Sequence, residues 1–111
     1  MQLGSSDSYV NVVGGIKLSE PAADLGIIAA IASSFRDREI DGGTVIIGEV
    51  GLAGEVRAVN FIEKRVNEAA KLGFKRCIIP GNNLNKLNDK SGIEVLGVSN
   101  VNNMLDIVIG G

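Results

Sequence analysis

The sequence predicts a single α+β domain. Strand-like and helix-like runs follow one another in the mixed order β-α-β-β-α-β-β-α, without internal repeat or linker, and this order favours an α+β sandwich over a doubly wound parallel sheet. The 111 residues suffice for one hydrophobic core and no second. Hydrophobic residues make up 45% of the chain but aromatic ones only 4%, with no Trp, so the core must be built from Val, Ile, Leu and Ala.

The first eight residues are polar and rich in Gly and Ser, so a flexible segment is expected at 1–8 and the domain proper at 9–111. Tyr9 to Val13 reads as a strand, because β-branched residues crowd it and Gly14-Gly15 stops it. Glu20 to Phe35 reads as a helix. Pro21 suits its first turn, Ser19 or Glu20 its cap, and Asp24 lies near the positive end of the dipole. Leu25 to Ala32 is apolar on every side and too short for a bilayer, so a central buried helix is expected, with Gly26, Ala29, Ala30 and Ala32 permitting close approach. Arg36 to Gly43 is a charged loop.

Thr44–Val50 and Glu55–Val59 flank Gly51-Leu52-Ala53-Gly54, the pattern of a β-hairpin whose glycines supply positive φ. A helix follows. Asn60 is its expected N-cap with Glu63 closing a capping box; Ile62, Val66, Ala69 and Ala70 form its apolar stripe, and Gly73 ends it. Lys64, Arg65, Asn67, Glu68 and Lys71 are expected to face water. Arg76 to Ile79 reads as a buried strand ended by Pro80-Gly81, Asn82 to Gly92 as a loop with room for one helical turn, Ile93 to Val98 as a strand, and Val101 to Ile109 as the closing helix.

Composition excludes much chemistry. There is no His, so Ser-His-Asp and Cys-His mechanisms are closed, as is the commonest transition-metal ligand. The single cysteine, Cys77, allows no internal disulfide; in an apolar strand its thiol pKa should rise. Gly48, Gly51 and Gly54 lack the Gly-Lys-Ser/Thr and following helix of a phosphate loop, and read as hairpin glycines. Asp37, Glu39 and Asp41 lack calcium-loop spacing. No metal is expected to bind this domain. No signal peptide or membrane span is visible, and a cytoplasmic location is the expectation. The net charge of −2 is unevenly spread: Arg57 to Lys90 holds eight basic and three acidic residues, a net +5, leaving −7 elsewhere. One arrangement survives the lack of His, a serine at a helix start activated by a buried, neutral lysine.

Five blocks carry a family resemblance: Val10 to Gly15, Glu20 to Leu25, Ala32 to Arg38, Gly48 to Arg57 and Glu68 to Arg76. In this order they resemble the C-terminal proteolytic domain of Lon-type proteases, a ribosomal-S5-domain-2-like fold, and more closely the Lon-like domain of the RadA (Sms) family of bacterial DNA repair ATPases. The resemblance implies that the first strand and helix of the fold, a zinc finger and a RecA-like ATPase core lie upstream, so that zinc and ATP belong there and this domain carries no cofactor. It also implies a homo-oligomer, with a hexamer as the family form, DNA as a partner, room for other recombination proteins, and no membrane.

Active Lon-type enzymes carry Gly-Pro-Ser-Ala-Gly where this chain has Glu20-Pro21-Ala22-Ala23-Asp24, and Gly-Gly-Leu-Lys where it has Asn60-Phe61-Ile62-Glu63. The resemblance therefore places Ala22 at the nucleophile and Glu63 at the lysine, a degenerate dyad with no catalytic residue. Lys64 lies about 100° round the helix from Glu63, and Ser19 about a turn of chain before the serine position. The expectation is a non-catalytic domain serving ring assembly and duplex DNA contact during branch migration. Arg57, Lys64, Arg65, Lys71, Lys75 and Arg76 are its candidate DNA contacts. A pure oligomerisation scaffold, in which acidic and basic halves of neighbouring subunits meet, and a residual Ser/Lys peptidase are the alternatives.

Overall fold

The computed structural model describes residues 20–87 and 92–110. The expected strand at Tyr9–Val13 and the expected flexible segment at 1–8 lie outside them. A 3-10 turn, Pro21–Ala23, leads into α1 (Asp24–Phe35); β1 (Thr44–Ile46), β2 (Glu49–Val50) and β3 (Val56–Arg57) follow. Then come α2 (Ile62–Lys71), β4 (Arg76–Pro80), a 3-10 turn at Gly81–Lys86, β5 (Glu94–Val98) and α3 (Val101–Ile109).

The mixed α/β order is as expected, but among the described residues the main sheet is wholly parallel. Its order is β1-β4-β5, with Thr44 opposite Arg76 and Arg76 opposite Glu94. Parallel strands need long crossovers and covering on both faces. Here the hairpin plus α2 joins β1 to β4. Alternate strand residues then enter two cores. Val45, Cys77 and Ile79 pack with Ile62, Val66 and Ala69 of α2, whereas Ile46, Ile78 and Val98 pack with Leu25 and Ala29 of α1 and Met104 and Val108 of α3. Because side chains alternate along a strand, these are the two faces of one sheet.

The expected strand Thr44–Val50 breaks at Ile47-Gly48. Ile47 N–H still bonds Ile78 O at 2.9 Å, but Gly48 turns to the helix start, where its N–H donates to Ala22 O (2.9 Å) and its carbonyl accepts from Leu25 N–H (3.0 Å). A Cβ on Gly48 would stand 3.0 Å from Leu25 Cδ2 and 3.1 Å from Val56 Cγ1, so a larger residue would have to push these side chains aside by a few tenths of an ångström. The expected strand at Glu55–Val59 is correspondingly short, since β3 pairs with β2 only at Glu49/Arg57 and Val50/Val56. Of the hairpin glycines Gly54 alone has positive φ, at 83°.

Two further expectations need correction. The helix α1 is not buried all round: Leu25, Gly26, Ala29 and Ala30 are buried, while Ile31 and Phe35 are exposed. A sheet on one side and α3 beside it can cover only part of its circumference. Asn60 does not cap α2. The cap position belongs to Phe61, in the left-handed region at φ 60°, ψ 37°, with no side-chain cap bond, so Glu63 closes no capping box. The apolar stripe and the C-terminus of α2 are as expected: Ile62, Val66 and Ala69 are buried, and Gly73, at φ 94°, donates to Ala70 O while Phe74 donates to Ala69 O.

Candidate functional site

The start of α1, the end of β3 and the start of α2 converge on one groove of about 320 Å³. It is lined by Glu20, Pro21, Ala22, Glu49, Ala58, Val59, Asn60, Phe61 and Arg65. Each wall has a local cause. The Ala22 carbonyl is fixed by the Gly48 N–H described above, and the Pro21 carbonyl accepts from the Asp24 N–H. The opposite wall is held by Asn83, which is 1% exposed and grips Val59 through both backbone groups: Val59 N–H donates to Asn83 Oδ1 at 2.9 Å, and Asn83 Nδ2 donates to Val59 O at 3.1 Å. A side-chain amide thus replaces the strand that would otherwise pair there.

Ala22, at the position the resemblance assigns to a nucleophile, is 4% exposed and offers a methyl group to the groove wall. Glu63 is exposed, is not part of the groove lining, and makes no hydrogen bond or ion pair among the described residues. The structure does not bring these two side chains together. What links the helix starts is an ion pair that sequence reasoning missed. Arg65 Nη2 bonds Glu20 Oε1 across the groove, and its Nε donates to Asn60 O at 2.9 Å. Among the described residues every lysine is exposed.

Phe61 occupies the second glycine position of the Gly-Gly-Leu-Lys motif named above, yet keeps the backbone angles that suit glycine. For a bulky residue this costs about 1–2 kcal/mol, and its ring gains little in return because the residue is 74% exposed. Nothing in the sequence signals it; Asn60, next door, tolerates the left-handed region better.

The six candidate DNA contacts divide into two groups. Arg65 is paired with Glu20 and only 12% of its side chain is exposed; Arg76 is half-buried and donates through Nε to Thr44 Oγ1 at 3.2 Å; Arg57 lies 3.1 Å from Glu55 and 3.9 Å from Glu49. Lys64, Lys71 and Lys75 are exposed with no ion pair among the described residues. Lys64 and Lys71, seven residues apart on α2, share a face. Arg65 was expected to face water and does not, because the carboxylate of Glu20 draws it across the helix start.

Glu55 organises the hairpin tip. Its carboxyl is held below the ordinary value, first by its own backbone N–H and then by Arg57, while Ala53 N–H donates to Oε1 at 3.1 Å. Burial pushes the Cys77 thiol up to about 12, as its place in an apolar strand implied. No cluster of three metal-ligating side chains exists among the described residues, Asp37, Glu39 and Asp41 included.

The family of the Lon protease (S16) C-terminal proteolytic domain matches residues 5–110. The chain belongs to that family. Within it, the expected likeness to RadA is borne out. DNA repair protein RadA of Halalkalibacterium halodurans is 56% identical over 110 residues, which is 99% of this chain and 24% of that protein. RadA of Bacillus subtilis is 56% identical over 109 residues, 98% of this chain and 24% of the relative, and RadA of Streptococcus pyogenes 45% identical over 106 residues, 96% and 23%. The chain thus spans about a quarter of the length of the curated relatives it matches. No helix among the described residues is long and apolar enough to cross a membrane.

Proposed function

We propose that this chain is the non-catalytic Lon-like domain of a RadA-type DNA repair and recombination ATPase, serving ring assembly and duplex DNA contact during branch migration in the cytoplasm. The observation that carries the reading is the buried methyl group of Ala22 where a hydroxyl would have to attack, with the exposed carboxylate of Glu63 in place of its amine partner. Losing both members of such a pair costs several orders of magnitude in rate. What remains is a folded scaffold with exposed lysines. Lys64, Lys71 and Lys75 suit phosphates, which need positive charge and no base readout. ATP and zinc would be bound by upstream domains of the parent protein, and other copies of the chain would complete the ring.

A salt titration tests this reading. The chain should bind duplex DNA with an affinity that falls steeply with salt, and Lys64→Glu with Lys71→Glu should abolish binding; salt-independent or absent binding refutes it. A second reading, assembly without DNA contact, is favoured by the internal engagement of Arg57, Arg65 and Arg76, which leaves half of the candidate cations. It predicts a salt-sensitive oligomer and no DNA binding. A residual peptidase is tested on casein: neither the native chain nor Ala22→Ser with Glu63→Lys should release peptides, because Arg65 and Glu20 bridge the helix starts and Glu63 stands outside the groove.

A further inference from the structure

We infer that Phe61 is a stacking platform for one unpaired base of a DNA strand, with the adjoining phosphate on Lys64. The inference rests on the proposed DNA contact and refines it, from a face that follows a duplex to a point that takes hold of a single strand.

Phe61 is unexplained by the fold. Its ring is 74% exposed and its backbone lies at φ 60°, ψ 37°, where glycine or asparagine is easier. Neither packing nor chain geometry favours phenylalanine there, and strained, exposed groups held at the lip of a cleft are the kind that contact a ligand. The cleft is suited to a base. Its volume, about 320 Å³, lies at the lower end for small-ligand sites. Pro21, Ala22, Ala58 and Val59 supply apolar walls, and Asn60 is exposed beside the ring with an amide able to meet a base edge.

The charges agree. Of the two carboxylates at the groove, Glu20 is answered by Arg65 and Glu49 by Arg57 at 3.9 Å, which leaves a near-neutral cavity for an uncharged ring. Positive charge stands just beyond. Lys64 lies in the first turn of α2, three residues after Phe61 along the chain, and Lys71 lies two turns further on the same face as Lys64; both are exposed. An aromatic ring flanked by unpaired cations is the arrangement that binds single strands by stacking and phosphate contact together.

The chain has no Trp, so Phe61→Trp places a single indole at the platform. Its emission should be quenched when oligodeoxythymidylate is added. Phe61→Gly should bind that oligonucleotide about 5- to 150-fold more weakly, the range expected for one lost stack. The same variant should unfold at an equal or higher temperature, because glycine accepts the positive φ; this separates a lost contact from a lost fold. Unquenched indole, or unchanged affinity in Phe61→Gly, overturns the inference, and so does a variant that loses self-association while keeping its affinity for the oligonucleotide, which would make the ring a protein anchor. If duplex binding is present and falls with Lys64→Glu while Phe61→Gly alters neither ligand, the platform is refuted and the proposed function stands. If the native chain binds no DNA of either form, both fall.

Discussion

Replacing Asn83 by alanine should destabilise the domain more than any change to a neighbouring loop residue. Asn83 is 1% exposed and holds Val59 by two hydrogen bonds of 2.9 and 3.1 Å. Each such bond contributes about 0.5–1.5 kcal/mol net, and a backbone group left without a partner costs about 1–3 kcal/mol where water cannot reach it. Val59 is only half-buried, so water can replace part of the loss, and a total of about 2–3 kcal/mol follows from the lower half of these ranges. At this chain length that is a fall of about 8–12 °C in Tm. Thermal unfolding followed by far-ultraviolet circular dichroism measures it, with Asn82→Ala as the control. Asn82 is exposed, and its truncation should stay within about 0.5 kcal/mol. Equal shifts in the two variants would refute the claim that a side-chain amide, in place of a strand, holds this wall of the groove.

The remaining predictions concern the groove's supports and the buried thiol. Gly48→Ala should cost about 1–3 kcal/mol by overpacking against Leu25 and Val56, read as a lower urea midpoint at unchanged slope; no loss would mean that the two side chains yield freely. Arg65→Glu should destabilise clearly more than Lys64→Glu, since Arg65 loses a half-buried partner and gains repulsion from Glu20, whereas Lys64 is exposed and its reversal should stay within about 0.5 kcal/mol. Cys77 has a folded pKa of about 12 against an ordinary 9.0. With the folded value raised, its contribution is complete below pH 9 and is lost as pH rises toward 12. Cys77→Ala should remove that part of the alkaline slope, and native Cys77 should resist iodoacetamide at pH 8 until the chain is unfolded. Glu55 has the opposite sign. Its folded pKa is depressed, so the hairpin-tip contacts persist above the ordinary carboxyl value and weaken as pH falls through the folded one; Glu55→Gln should abolish this pH dependence in amide exchange at Ala53.

Local signals were sufficient wherever one residue or a short period decides the outcome. The Ile62-Val66-Ala69 stripe, the stop at Gly73, the Gly54 turn, the buried strand around Cys77 and the α3 helix all follow from periods of 3.6 or 2 and from glycine's tolerance of positive φ. Five short blocks of sequence likewise carried the resemblance to the Lon family, and with it the methyl group and the carboxylate at the two dyad positions. Three things were decided only by the tertiary structure. The break at Gly48 depends on bonds to Ala22 and Leu25, more than twenty residues earlier in the chain. The left-handed conformation of Phe61, in preference to a cap at Asn60, arises where a wall pinned by Asn83 must turn into α2. The engagement of Arg65 and Arg76 is set by a carboxylate and a hydroxyl that lie 45 and 32 residues away in the chain. Periodicity and turn chemistry act between neighbours along the chain and are written in its order. Partners brought together by the crossing of distant segments are chosen by packing, and become visible only when the sheet and its helices are in place.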